Sequence, residues 1–259
     1  MDKIEIKVLN PEVITEARMM AGIGARLTQR GHKIQNMDDF MTLYEKGASD
    51  ELIKSLVALP HPTLQKLAVI NVVVVGASRR FLAQITRHQN EVKFVSASLQ
   101  YSDYSDSNSF CVPYEVMEAG PLFVDRYLSE CSEAMVEYAE MAKIAGNDAA
   151  GYLAPQGLRN VLIISATPFQ WKHMIGQRAC RRNTSETEFV MLKIWNELYE
   201  LDPVFFAPKV TGSFCQQGPC KEGKMCCMRP FKKDATPLDI LKEDYPLIMG
   251  GADNEQAGI

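Results

Sequence analysis

A β-branched run followed by helical spacing, over residues 69–88, is the hydrophobic pattern around which the rest of the chain is organised. Residues 69–75 are Val or Ile except at Asn71, and an apolar run without alternation is typical of a strand buried on both faces. Gly76 is predicted to end this strand. Ser78 then lies where a helix N-cap belongs, and apolar residues at helical spacing extend the helix to His88.

The same strand-to-helix order is predicted again at residues 158–178, where Thr167 and Pro168 supply the cap and the first helical residue. A short strand is predicted at residues 4–8. Further helices are predicted at 10–31 from the cap Asn10, 37–45, 49–59, 121–145, 185–202 from a capping box at Ser185, and 236–245. These patterns predict one domain of the α/β or α+β class, with a central sheet flanked by helices.

The expected boundaries follow from where apolar residues stop. We expect residues 1–249 to form the domain, including a cysteine-rich loop at 215–227, and residues 250–259 to form a frayed tail with little to anchor it. The polar segment 102–113 is predicted to be a functional flap. Leu59 and Phe123 are expected to face inward from their helices.

Composition and charge exclude several classes of protein. Of 259 residues, 46% are hydrophobic and 23% are charged, which is ordinary for a globular protein. The net charge of −4 argues against bulk binding of nucleic acid. The first ten residues lack an apolar signal core, and no stretch approaches the roughly 20 apolar residues of a membrane helix, so we expect no membrane association and a cytoplasmic location.

Candidate chemistry begins on the helix that follows the first strand. Gln84, Arg87 and His88 are predicted to share one face of it, which suits an anionic, planar ligand. The alternative is a solvated helix end, because Arg and His near a helix C-terminus also complement its dipole. Glycine-rich phosphate loops, nucleophile elbows and zinc-binding His-Glu helices are absent from the sequence.

The cysteines raise a separate question. Four of the seven, Cys215, Cys220, Cys226 and Cys227, fall within 13 residues, and four thiolates so placed would suit zinc or an iron–sulfur cluster. The spacing contains no Cys-x-x-Cys pair, so free thiols in a loop are the other interpretation.

The stretch from residue 76 to residue 102 resembles the signature of the flavin-dependent thymidylate synthases. That signature is Arg-His-Arg, seven variable residues, Ser and then Arg-Tyr. Here Arg87-His88-Gln89 is followed by eight residues and then by Ser98-Leu99-Gln100-Tyr101. Further landmarks, spread over residues 55–200, stand in the same order: His61-Pro62-Thr63, Leu153 with Pro155, and Arg178 with Glu186 eight residues later.

The resemblance implies an activity and a set of ligands. It implies that FAD binds between subunits of a homotetramer, and that methylenetetrahydrofolate and NADPH serve as carbon donor and reductant while dUMP is methylated at C5 to dTMP. It implies cofactor binding by Arg87, His88, Gln89 and His173, catalytic roles for Arg178, Gln84 and Ser98, and nucleotide binding by Gln84, Ser98, Gln100, Tyr101 and Arg178. Arg178 and His88 follow the two similar strands, so they are expected to converge on one site.

Three departures from the family pattern leave alternatives open. Gln89 and Gln100 stand where the family has Arg, and Ala149-Ala150 stands where it has Ala-Arg. Because a charge-assisted bidentate bond is roughly twice as strong as a neutral one, these changes should weaken the binding of a phosphate dianion. The acceptor is then dUMP, another pyrimidine nucleotide, or, in a degenerate member, a nucleotide that is bound without turnover.

Overall fold

The computed structural model of the protein describes residues 1–59 and 61–250. Its strands are β1 (Glu5–Val8), β2 (Ile70–Ser78), β3 (Val92–Ser96) and β4 (Arg159–Ala166). Its helices are α1 (Glu12–Arg30), α2 (Met37–Glu45), α3 (Asp50–Val57), α4 (Arg79–Ile85), α5 (Tyr114–Glu118), α6 (Pro121–Ala150), α7 (Pro168–Arg178), α8 (Ser185–Leu201), α9 (Pro208–Thr211), α10 (Phe214–Gln217), α11 (Pro237–Asp244) and α12 (Pro246–Met249). Short 3-10 turns lie at Gly31–Lys33, Pro62–Gln65 and Gly223–Met225.

The four strands form one antiparallel sheet in the order β1-β2-β4-β3. The predicted class, mixed helix and strand with a central sheet flanked by helices, is confirmed. The sequence predicted that β2 ends at Gly76, but the strand continues to Ser78 through a register shift between Val75 and Ala77. Gly76 has a φ of 83° there, and glycine adopts this backbone conformation without the steric cost that other residues meet.

Only one face of the sheet is deeply buried. Ile70, Val72 and Val74 are fully buried in the main core, against which the helices pack. The register places Val75 beside Val161, and on the same face Val95 is 67% exposed. The prediction that β2 is covered on both faces was therefore wrong, since its other face contributes to an open apolar surface.

Most of the predicted helices are present, and the errors lie at their ends. The helix predicted to reach His88 stops at Ile85. Ser185 does not begin a capping box, because Thr184 holds the N-cap position of α8 without a side-chain cap bond. Asn10 does not cap α1. Its side chain instead accepts from the backbone N–H of Asn71, at 2.8 Å, and so ties α1 to the sheet.

Two packing expectations and one strand were also missed. Leu59 is 46% exposed and Phe123 is 53% exposed, so neither faces inward. Strand β3 (Val92–Ser96) was not predicted, because it alternates only weakly and ends in small polar residues. Most of segment 102–109 is exposed, and its role as a flap stays a prediction.

Within the described residues, no helix is long and apolar enough to cross a membrane. Residues 251–259 of the predicted tail lie outside the described residues. The division at residue 249 stays a prediction.

Candidate functional site

The candidate site is built on the junction between β2 and α4. The Ser78 hydroxyl accepts from the backbone N–H of Phe81, at 3.1 Å, and so caps α4 as predicted. The same hydroxyl and the Ser78 backbone N–H both donate to the carboxylate of Glu186 on α8. Because Glu186 is buried, these bonds fix α4 against α8 in the interior, where a carboxylate without partners would be costly.

Arg178 and His88 meet in this region, 90 residues apart in sequence. The Nε–H of Arg178, at the end of α7, donates to Nε2 of His88 at 2.9 Å. Its other nitrogens are held more weakly, by the Gln84 carbonyl at 3.3 Å and by Oδ1 of Asn183 at 3.4 Å. The predicted convergence of Arg178 and His88 is thus present in the structure.

The His88 imidazole is held neutral in this arrangement. Burial, followed by the charges of Arg178 and His173, lowers its pKa from 6.5 to about 4. Burial, followed by the Arg87 charge, also lowers the pKa of Arg178, although guanidinium remains charged at any physiological pH. A neutral imidazole has an unprotonated nitrogen that can accept the Arg178 bond, which an imidazolium could not do.

An open cleft of about 660 Å³ lies beside this pair. It is lined by Lys66, Arg87, His88, Gln89, Asn90, Glu91, Phe169, Gln170 and His173. All four residues expected to bind the cofactor, namely Arg87, His88, Gln89 and His173, therefore lie on one surface. The rings of His88 and His173 meet edge to face, with centroids 6.2 Å apart, which is an ordinary aromatic contact distance.

The residues expected to bind the nucleotide are not all brought there. Gln84 contributes its backbone carbonyl to Arg178. Ser98, Gln100 and Tyr101 are not among the residues that line the cleft. Val92 pairs with Ala166, just before α7, and β3 then runs away from that point. In an extended chain Ser98 lies roughly 20 Å from Val92.

Local contacts at Ser98 stay within its own turn. Its hydroxyl accepts from the backbone N–H of Gln100 at 3.2 Å, and Tyr101 is 84% exposed. Of the three departures from the family pattern, Gln89 is exposed at the cleft and Gln100 is exposed in this turn. Ala150 is fully buried in the cluster around Tyr138, so position 150 does not present a side chain to the cleft.

Several lining residues were missed by sequence reasoning. Nζ of Lys66 pairs with Glu91 at 2.5 Å, and it also lies 4.9 Å from the ring centre of Phe169. Glu91 in turn accepts from the Thr167 hydroxyl at 3.1 Å. Of these residues, Phe169 is the one that the sequence could have indicated, because it follows the predicted helix start at Thr167 and Pro168.

A second, wider cleft of about 800 Å³ adjoins the first and shares Phe169 and His173 with it. Lys172 and two further lysines, Lys209 and Lys221, are among its lining residues. Lys172 is buried, donates to Oε1 of Gln65 at 2.6 Å, and burial lowers its pKa to about 7. The two clefts together form a basic, partly aromatic surface suited to an extended anion.

The cysteine-rich loop does not form an assembled metal site. Within residues 1–59 and 61–250, no three His, Cys, Asp or Glu side chains are gathered closely enough to hold one ion. Its cysteines, Cys215, Cys220, Cys226 and Cys227, are free thiols.

Comparison with known proteins assigns the class. The family model described as thymidylate synthase complementing protein matches residues 13–204, which is most of the chain. The chain therefore belongs to this family, as its sequence signature predicted.

Two curated relatives show how divergent this member is. A flavin-dependent thymidylate synthase from Thermococcus onnurineus is 25% identical over 193 residues, covering 72% of this chain and 78% of that protein. The protein of the same name from Pyrococcus abyssi is 22% identical over 200 residues, covering 73% and 81% respectively.

Solved structures show the same fold at lower identity. The UMP/dUMP methylase PolB from Streptomyces cacaoi, bound with 5-Br dUMP, aligns with a TM-score of 0.58 at 14% identity over 79% of this chain and 93% of its own. Thymidylate Synthase X from Helicobacter pylori, with FAD and dUMP, aligns with a TM-score of 0.58 at 14% identity over 80% and 99%.

Proposed function

We propose that the protein methylates C5 of a pyrimidine nucleotide, dUMP in the first instance, with FAD as cofactor, methylenetetrahydrofolate as carbon donor and NADPH as reductant. The observation that carries this proposal is the Arg178–His88 bond at the edge of a cleft that also contains Arg87, Gln89 and His173. Family membership supports the reaction class, and this geometry supports the cleft as its proposed site.

The residues of the cleft fit a flavin dinucleotide. Arg87 and Lys66 are cationic donors of the kind that bind a diphosphate. Phe169 and the neutral rings of His88 and His173 offer apolar and edge contacts to a planar ring system. The chemistry that a bound flavin supplies is hydride donation. The surrounding protein groups would bind the cofactor, orient it and limit the access of water.

Arg178 is suited to hold an anionic or carbonyl-bearing ligand. Its bonds to Gln84 and Asn183 measure 3.3 and 3.4 Å, at or beyond the long end of the usual range. A ligand oxygen could replace them with shorter, charge-assisted bonds. The 2.9 Å bond to His88 would keep the guanidinium oriented during that exchange.

A second copy of the chain would complete the site. Ser98 does not line the cleft of its own chain, while Val75, Val95 and Val161 form an exposed apolar sheet face. Exposed apolar patches of this kind mark protein interfaces, and a homotetramer would cover the face and bring Ser98 of one copy toward the cleft of another. Val161→Asp should lower the oligomeric state in analytical ultracentrifugation. Val136→Asp, at an exposed position on α6, is the matched control, and an unchanged assembly in both variants contradicts this arrangement.

The first experiment is to look for flavin. The purified protein should release FAD on heating, identified by its absorbance, or should take up FAD when reconstituted. His88→Ala should reduce occupancy, because it removes a buried wall of the cleft, whereas His32→Ala, at an exposed position, should not. Protein that neither retains nor accepts FAD would refute the cofactor assignment.

The second experiment identifies the acceptor. An alternative acceptor is favoured by the exposed Gln89 and Gln100, which lack the charge that a phosphate dianion prefers. Release of tritium from 5-labelled dUMP, UMP and dCMP, with methylenetetrahydrofolate and NADPH, discriminates between these substrates. Turnover of dUMP alone rejects the alternative, and turnover of none of them rejects the proposed reaction.

A further inference from the structure

Five of the seven cysteines line one small cavity, of about 30 Å³, where the end of α7 meets the segment that follows α10. They are Cys180, Cys215, Cys220, Cys226 and Cys227. The remaining two, Cys111 and Cys131, are buried elsewhere. Four of the five lie beyond residue 204, where the family match ends, so most of the cluster lies outside the matched region.

The segment 219–230 lacks an apolar core that could hold it in place. Every residue in it is exposed except Cys226 and Cys227, which are half-buried. The two thiols are thus the side chains that this segment turns toward the protein. The segment therefore has little apolar burial of its own to hold it against the protein, and its cysteines form no disulfide.

Hydrogen bonds already orient two of the sulfur atoms. The backbone N–H of Met228 donates to Sγ of Cys226 at 3.4 Å. The Ser213 hydroxyl lies 3.1 Å from Sγ of Cys215. Ligating side chains in metal sites are generally held by outer hydrogen bonds of this type. Met228 also has a φ of 58°, a conformation that a non-glycine residue adopts only when its surroundings hold it there.

We propose that this cavity is a thiolate metal site, which takes a single zinc ion or a small iron–sulfur cluster through Cys180, Cys215, Cys220 and one of the adjacent pair Cys226 and Cys227. Four cysteine thiolates are the ligand set of both kinds of centre. Each ligating thiol releases one proton when the metal binds. The site goes beyond the proposed methylation and does not depend on it.

Binding must draw the thiols inward. In the described part of the chain they surround a cavity and do not converge on one point. Because residues 219–225 are exposed, little packing opposes their movement, and coupling of metal binding to local folding is usual for such loops. Cys180 is two residues beyond Arg178, so a bound metal would also fix the end of α7 that carries this arginine.

The test uses the full chain, purified anaerobically and analysed for zinc, iron and acid-labile sulfide. We expect about one zinc per chain, or iron with matching sulfide, either as purified or after incubation with Zn²⁺ or with ferrous iron and sulfide. Cys215→Ser and Cys220→Ser should each lose most of that metal. Cys131→Ser, which changes a buried cysteine outside the cavity, should keep it.

Thiol reactivity gives a second readout that does not require enzyme activity. In the loaded native protein the cavity cysteines should resist a thiol reagent, and a chelator should expose them and lower the Tm. Native chain that takes up no stoichiometric metal, with these cysteines reacting freely or mapped as disulfides, overturns the proposal. Native protein that turns over dUMP but takes up no metal would overturn the metal site while leaving the proposed reaction intact.

Discussion

Replacing Arg178 tests the electrostatics of the site directly. The pKa of His88 is lowered from 6.5 to about 4 by burial, by the Arg178 charge and by His173. Arg178→Ala removes the second of these causes and lets water reach the imidazole, which weakens the first. We expect the His88 pKa to rise above about 5, since each removed charge at hydrogen-bond distance commonly changes a pKa by 1–3 units.

The change has a defined sign in stability. Between pH 6.5 and about 4, residue 88 binds a proton in the unfolded chain but not in the native protein. The contribution of His88 to native stability therefore falls as the pH falls through this window. Without screening, the loss in the free energy of unfolding from this shift would be about 3 kcal/mol, at about 1.4 kcal/mol per pKa unit. Because the cleft admits water that screens the charge, we expect roughly 1–2 kcal/mol. This acid loss should shrink in Arg178→Ala.

The assay is an NMR titration of the four histidines, combined with urea unfolding at pH 5 and pH 7.5. Arg178→Lys retains the charge and Arg178→Gln retains a donor without charge, so the pair separates the two contributions. Arg182→Ala removes a nearby exposed arginine that bonds the Met225 carbonyl and should leave the His88 titration unchanged. A His88 pKa that stays near 4 in both Arg178→Ala and Arg178→Gln would refute this reasoning.

Three further changes have predictable consequences. Ser78→Ala removes the cap of α4 and one of the two hydrogen bonds to buried Glu186, so the free energy of unfolding should fall by about 2–4 kcal/mol. The control Ser49→Ala removes only a cap and should cost about 1 kcal/mol in the same urea titration. Lys172→Met should abolish the gain in stability that the wild type shows between pH 7 and pH 10, where the unfolded chain holds the lysine proton and the native protein has lost it; equal pH profiles would contradict this. Gly76→Ala should lower the Tm by several degrees, because its Cβ would lie 2.7 Å from a backbone oxygen at a φ of 83°; an unchanged Tm would show that the bulge relaxes.

Local signals predicted the helices well where the physical cause is local. Ser78 and Thr167 cap their helices through the hydroxyl, as predicted. Ser49 and Thr236, the first residues of the ranges predicted at 49–59 and 236–245, do the same. A capping hydroxyl needs only the next three residues, so sequence carries the information. The capping box predicted at Ser185 was wrong. Glu186 and Glu188 are buried, and the local sequence does not indicate this burial.

The open sheet face shows the limit of hydrophobic patterning. Residues 69–75 predict a strand, and they form one, but the run does not reveal that Val75 and Val161 remain exposed in a single chain. A continuous apolar strand indicates burial on both faces without indicating whether the second cover comes from the same chain. In this fold the helices pack on one face, and the other face is the one that the proposed homotetramer would cover.

Site residues divide in the same way. His88 and Arg178 were paired from sequence because each follows a similar strand-to-helix transition, and their side chains do meet. The transitions alone did not require this, because β2 and β4 are antiparallel and place them at opposite ends of the pair, with Ser78 beside Arg159 and Ala166 beside Ile70. Lys66 and Glu91 could not be paired from sequence, since their ion pair joins a turn to a loop and depends on tertiary contact alone.

The three departures from the family signature differ in how each could affect nucleotide binding. Position 150 is buried among apolar side chains, so an arginine there would face the second core rather than the cleft unless the end of α6 were rearranged. Gln89 is exposed on the cleft, next to Arg87 and within reach of the same solvent-facing surface. Gln100 lies in the turn at Ser98, away from the cleft of its own chain. In the proposed assembly, weaker binding of the nucleotide phosphate would therefore depend on Gln100 and on how a second copy presents it to the cleft, so the test of assembly is also a test of substrate choice.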